Sequence, residues 1–144
     1  MSVLWFDGLL AKTEDAGVYF LPDADVDELL EAAAVNTFPC LRVNLRGCHA
    51  REDLMLRLAG MLAMPPHRVL DWSQFPQAIG EARPADAPGM VLLLEHSEEL
   101  RAQAREEFKL AMEALQGASA AWAQQGRPLW SFIVLDESEF DALG

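Results

Sequence analysis

The run Met90-Val91-Leu92-Leu93-Leu94 constrains this chain more than any other feature. Pro88-Gly89 breaks the backbone just before it, and Glu95 places a charge just after it. A strand with one face in water alternates apolar and polar residues; a short run without alternation suits a central strand covered on both faces. Leu129 to Leu135 supplies another buried strand. Between them lies the longest helical pattern, roughly 104 to 125, with Phe108, Ala111, Met112, Leu115 and Trp122 on one stripe and Gly126 at its end. Strands separated by helices pair in parallel, which predicts an α/β fold of two or three layers.

The rest of the chain fits that scheme. Gly17 to Leu21 reads as a short strand closed by Pro22. Asp25 and Glu28 have capping-box spacing, and Val26, Leu29, Leu30, Ala33 and Ala34 follow with helical period until Asn36. Leu41, Val43 and Leu45 alternate with Arg42, Asn44 and Arg46, the period of a half-buried strand. A helix carrying Leu54, Leu58, Met61 and Leu62 ends at Pro65-Pro66. A short helix is predicted to start between Asp71 and Ser73, with Pro76 in its first turn and Phe75 and Ile79 facing inward. The expected organisation is an N-terminal extension (1–16), one domain (17–136) and an acidic tail (137–144).

Charge narrows the partner. With 23 acidic residues against 11 basic ones the net charge is −12, which repels phosphate backbones and anionic membranes and attracts basic proteins. Direct nucleic-acid binding and membrane association are therefore disfavoured. The chain has two cysteines, Cys40 and Cys48, too few for a disulfide framework. With no signal-peptide pattern and no apolar run of membrane-spanning length, a cytoplasmic protein is expected.

Catalytic chemistry finds little support. Cys40, Cys48 and His49 lack the paired spacing of a zinc site, and a buried cysteine with a surface histidine explains them better. Glu95 and His96 end a buried strand, where open parallel sheets bind ligands. Ser97, Glu98 and Glu99 then start a helix, so a role at its N-terminus outweighs acid–base catalysis. No phosphate-binding glycine loop, nucleophile elbow or His-Glu-x-x-His motif occurs, so neither an enzyme nor a cofactor is expected. Trp122 and Trp130 sit in apolar patterns as core residues. Trp72 differs, because its neighbours Arg68, Asp71, Ser73 and Gln74 are polar and it stands at a helix entrance. There it serves either as a binding anchor or as a staple onto the core.

Several of these segments, in their order, resemble the barstar-like family of intracellular ribonuclease inhibitors. They are Arg42-Val43-Asn44-Leu45 leading to Gly47; Leu62-Ala63-Met64-Pro65; Asp71-Trp72; Pro88-Gly89 before Val91 to Leu94; and Ala121-Trp122 with Gly126 to Trp130. The resemblance runs from about Leu41 to Leu135. It implies a small parallel sheet of three core strands, with a fourth available at the N-terminal edge, flanked by helices. It also implies a binding surface on the short helix and the loop before it: His67, Arg68, Asp71, Trp72, Ser73, Gln74, Gln77 and Glu81. Members of the family carry two aromatics and a glycine where this chain has His67, Arg68 and Val69. Their Asn-Trp-Asp-x-x-x-Asp falls on Asp71, Trp72, Ser73 and Gln77, so the tryptophan is kept and both carboxylates are neutral. Near the end of the long helix, where the family adds another acid, stand Ala121 and Gln125.

The resemblance thus implies an inhibitor that blocks a basic nuclease or toxin, retargeted because its charges differ, with Asp71, Glu81 and the overall acidity in their place. The alternative is a protein-interaction module or regulatory subunit on the same scaffold.

Overall fold

The unalternating run at 90–94 does become a strand buried on both faces, and the rest of the fold is arranged to cover it. The computed structural model describes Leu10, residues 16–62, Ile79 and residues 88–136. In chain order the described elements are β1 (Val18–Pro22), a 3-10 turn (Asp23–Asp25), α1 (Val26–Val35), β2 (Cys40–Asn44), α2 (Arg51–Leu62), β3 (Met90–Glu95), α3 (Glu98–Gln103), α4 (Arg105–Ala123) and β4 (Leu129–Leu135). The four strands form one sheet in the order β1-β4-β3-β2, and every pair is parallel.

This order dictates the layering. From β1 the chain crosses the whole sheet to β2, then returns through β3 to β4. Crossovers of one hand must pass over opposite faces when the direction of travel reverses. Accordingly α1 covers one face, where Val26, Leu29, Ala32 and Ala33 pack with Leu21, Val91, Leu93, Trp130, Phe132 and Val134, and with Leu10. Helices α2 and α4 cover the other. There Leu54, Leu58, Leu115 and Trp122 pack with Val43, Met90, Leu92, Leu94, Leu129 and Ile133, and with Ile79. The α/β fold with a parallel sheet and a fourth strand at the N-terminal edge is therefore as expected, in its three-layer form.

Several local expectations hold and others are corrected. Asn36 stops α1, its side chain donating to the Ala32 carbonyl at 2.9 Å while Thr37 turns into the left-handed region. Gly126, at φ +73°, closes α4 in a Schellman-type turn. Its N–H donates to Ala123 O at 2.9 Å, and the N–H of Arg127 donates to Trp122 O at 3.0 Å. The capping box at Asp25 and Glu28 does not form. Residues 23–25 wind into the 3-10 turn, which leaves Asp25 outside the extended conformation a cap requires, and its side chain makes no cap hydrogen bond. On α1 it is Ala32 that is buried and Ala34 that is exposed. Trp122 and Trp130 are core residues, as their patterns predict.

The free edge of β1 is blunted. Gln116 of α4 accepts the outward Val18 N–H at 3.1 Å, and Pro22 has none to offer. On the α1 face, Tyr19 lies 5.8 Å from the Trp130 ring and 6.1 Å from Phe132.

Two glycines give opposite expectations. A Cβ at Gly89 would stand 2.8 Å from the Pro128 carbonyl oxygen and 2.9 Å from the Phe38 ring, whereas one at Gly60 in α2 meets nothing within 4 Å. Gly89→Ala should lose about 1–3 kcal/mol in urea denaturation through overpacking at the start of β3. Gly60→Ala should gain about 0.5–1 kcal/mol, since glycine weakens a helix interior.

Candidate functional site

All eight residues expected to bind a partner, His67, Arg68, Asp71, Trp72, Ser73, Gln74, Gln77 and Glu81, lie outside the described residues, as does Phe75. The described residues fix how their segment is anchored. Helices of a parallel sheet run back against the strands, so α2 ends at the edge where β3 begins, and both ends of the 63–87 connection sit at this amino edge. Ile79, expected to face inward, is helical and fully buried in the α2–α4 cluster.

The end of α4 reaches the same edge. Ala121 and Gln125 are both exposed there. The Arg127 guanidinium stacks 4.3 Å over the centre of the Trp122 ring and donates from Nη2 to Gln125 Oε1 at 3.0 Å. Where the resemblance places an acid, this chain therefore holds a neutral amide beside a fixed cation.

The opposite, carboxyl edge carries polar groups that alternation and capping signals did not reveal as a set. Arg42 of β2 makes a bidentate pair with Glu95 of β3, Nε to Oε1 at 2.7 Å and Nη2 to Oε2 at 2.9 Å. Arg46 Nη2 lies 3.2 Å from His96 Nδ1, and His49 Nε2 contacts Glu99 Oε2. Each pair links the exit of β2 to the exit of β3. His96 adopts φ +58°, uncommon for a residue with a Cβ and tolerated by histidine better than by most. Arg57 donates to the Asn44 carbonyl at 2.9 Å, closing an outward group of the β2 edge. Ser97 precedes α3 but does not cap it; its hydroxyl accepts from Arg101 Nε at 3.0 Å instead. Glu98 and Glu99 do sit in the first turn, where their charge suits the helix dipole.

Electrostatics at this edge follow the geometry. The hydrogen bonds from Arg42 hold the Glu95 carboxyl below its ordinary value of 4.5, against the opposing effect of burial. Burial pushes the Cys40 thiol up to about 11, with Arg42 opposing the shift, so the thiol stays protonated and unreactive at neutral pH. Cys48 is buried, and neither cysteine is in a disulfide. Among the described residues no three His, Cys, Asp or Glu side chains converge as metal ligands, Cys40, Cys48 and His49 included.

A comparison with family models finds one match. Barstar (barnase inhibitor) matches residues 38–134, about two thirds of the chain. The chain belongs to the Barstar family. It is thus a barnase-inhibitor-like protein, and its family is one of inhibitors rather than enzymes. No curated protein matches it. The Barstar match begins at Phe38, separated from the end of α1 by two residues, so the edge strand β1 and the helix α1 that covers the second face lie outside it. Among the described residues no helix is long and apolar enough to cross a membrane.

The Arg42–Glu95 pair gives a pH prediction. Glu95 is held below 4.5 when folded, so the unfolded chain binds the proton more readily. The pair's stabilisation is present above the unfolded value and fades as pH falls through the folded one. Arg42→Ala should therefore cost about 1 kcal/mol at pH 7. Wild-type and variant denaturation curves should converge well below pH 4.5.

Proposed function

We propose that this protein is an immunity-type inhibitor that binds a basic ribonuclease or toxin across its active site, using the 67–81 segment as its contact surface. The Barstar match over residues 38–134 carries the reading. The net charge of −12 supports it, because a strongly acidic inhibitor is drawn to a basic nuclease by long-range attraction. Trp72 supplies area at the centre of the contact, with Asp71, Glu81, His67, Arg68 and Gln74 around it. Ser73 and Gln77 offer hydrogen bonds where other members offer carboxylates. The chain acts by binding, needs no cofactor, and works in the cytoplasm, where its unpaired thiols persist. Its working unit is the domain 17–136.

The neutral positions define the target. An amide or hydroxyl cannot neutralise a desolvated cation, and leaving such a charge unpaired costs about 2–5 kcal/mol per site. Barnase itself should therefore be inhibited poorly, and the preferred nuclease should present fewer cations, or polar groups, opposite Ser73 and Gln77. Gln125 and the fixed Arg127 guanidinium favour the second reading, a non-inhibitory interaction module, because they place no carboxylate where the family adds one.

The two readings part in an inhibition assay with the full chain against barnase and a panel of basic ribonucleases. The inhibitor reading expects stoichiometric inhibition of at least one enzyme other than barnase, with an association rate that falls with salt. Trp72→Ala and Gln77→Arg should each weaken that inhibition about tenfold or more. Absence of inhibition across the panel, with the variants as inert as the wild type, leaves the interaction-module reading.

A further inference from the structure

The outermost strand of a sheet is a template for further pairing, and β1 holds that position beside β4. The Ser131 N–H donates to the Gly17 carbonyl at 2.9 Å, which fixes the sense of the parallel ladder. Gly17, Tyr19 and Leu21 turn their backbone groups toward β4, and Val18, Phe20 and Pro22 turn theirs away from the sheet. A strand added outside β1 would have to pair with those last three.

Two of the three are closed to it as donors. Pro22 has no N–H. The Val18 N–H is taken by a side chain from another layer, Gln116 Oε1 of α4, at 3.1 Å. Gly17 makes room for this contact, because a Cβ there would stand 3.3 Å from both Oε1 and Nε2 of Gln116. The amide therefore lies against β1 where the carbonyl of an added strand would lie. Phe20 is the remaining outward position, and its side chain is 44% exposed.

We propose that Gln116 is an edge guard, which holds the ladder position at Val18 and so keeps two copies of this chain from joining through β1. The excluded partner is a second copy because this edge is self-complementary about Phe20. In a two-fold antiparallel pair, a residue opposite its own mate exchanges both N–H and C=O with it. The two Phe20 rings then lie side by side on one face, and each Val18 N–H meets the Pro22 carbonyl of the other copy. With Gln116 in place the bonds from Val18 are lost in both copies, and the pairing rests on Phe20 alone. The inference does not depend on the protein being an inhibitor.

Sedimentation equilibrium of the full chain, in salt that screens its net charge of −12, reads the guard directly. The wild type should stay monomeric, and Gln116→Ala should dimerise at least about tenfold more tightly. Gln116→Met keeps the bulk and loses the acceptor, so it serves in the same way if the alanine variant is unstable. Hydrogen exchange then locates the contact: the Phe20 amide should gain protection as the variant's concentration rises. Phe20→Pro added to Gln116→Ala should restore the monomer, since proline fits an outer strand where the N–H points away from the sheet. If that double variant does not fold, the exchange measurement decides alone. A folded Gln116 variant that stays monomeric at every concentration would overturn the proposal. So would a wild type that dimerises as tightly, or a dimer in which Phe20 gains no protection.

Discussion

The pairing of β3 with β4, with both strands buried on both faces, is the constraint on which the rest of this structure depends. Their backbone groups satisfy each other within the sheet, and their side chains need an apolar layer above and another below. Helices α2 and α4 provide one layer, and α1 provides the other. The family-matched region contributes β2, β3, β4, α2 and α4, but residues 16–37 hold the helix that covers Val91, Leu93, Trp130, Phe132 and Val134. The same residues supply β1, which extends the sheet beyond β4 and carries Tyr19 against the Trp130 and Phe132 rings. The segment before the Barstar match is thus continuous with the core.

A parallel sheet has two unlike edges. The amino edge anchors both ends of the connection that includes Trp72, with Ile79 buried in the core and Gly89 packed close to Pro128 and Phe38. The carboxyl edge gathers the exits of the strands, where Arg42–Glu95, Arg46–His96 and His49–Glu99 link β2 and the loop after it to the end of β3 and the start of α3.

Much of the scaffold was legible in the sequence because its signals are local. The unbroken run at 90–94, the stripe through Phe108 and Trp122, and the breakers Asn36 and Gly126 each report a strand, a face or a stop within a few residues. The capping box at Asp25 and Glu28 failed because spacing alone does not fix the backbone; the 3-10 turn takes Asp25 out of the conformation a cap needs. The carboxyl-edge cluster was legible only at Glu95 and His96. Arg42 and Glu95 are 53 residues apart, so no period or motif joins them. The residues expected to bind a partner rest on the family resemblance, since nothing in local spacing distinguishes a binding Trp72 from a packing one.

Native-state hydrogen exchange on the full chain tests most directly whether β1 and α1 form one cooperative unit with the family core. The amides of β1 that face β4 should exchange in the slowest class together with those of β3 and β4, at the free energy of global unfolding, and α1 should follow closely. If β1 and α1 open together at a much lower free energy while β3 and β4 stay fully protected, the core closes without them, and the account of this sheet is wrong.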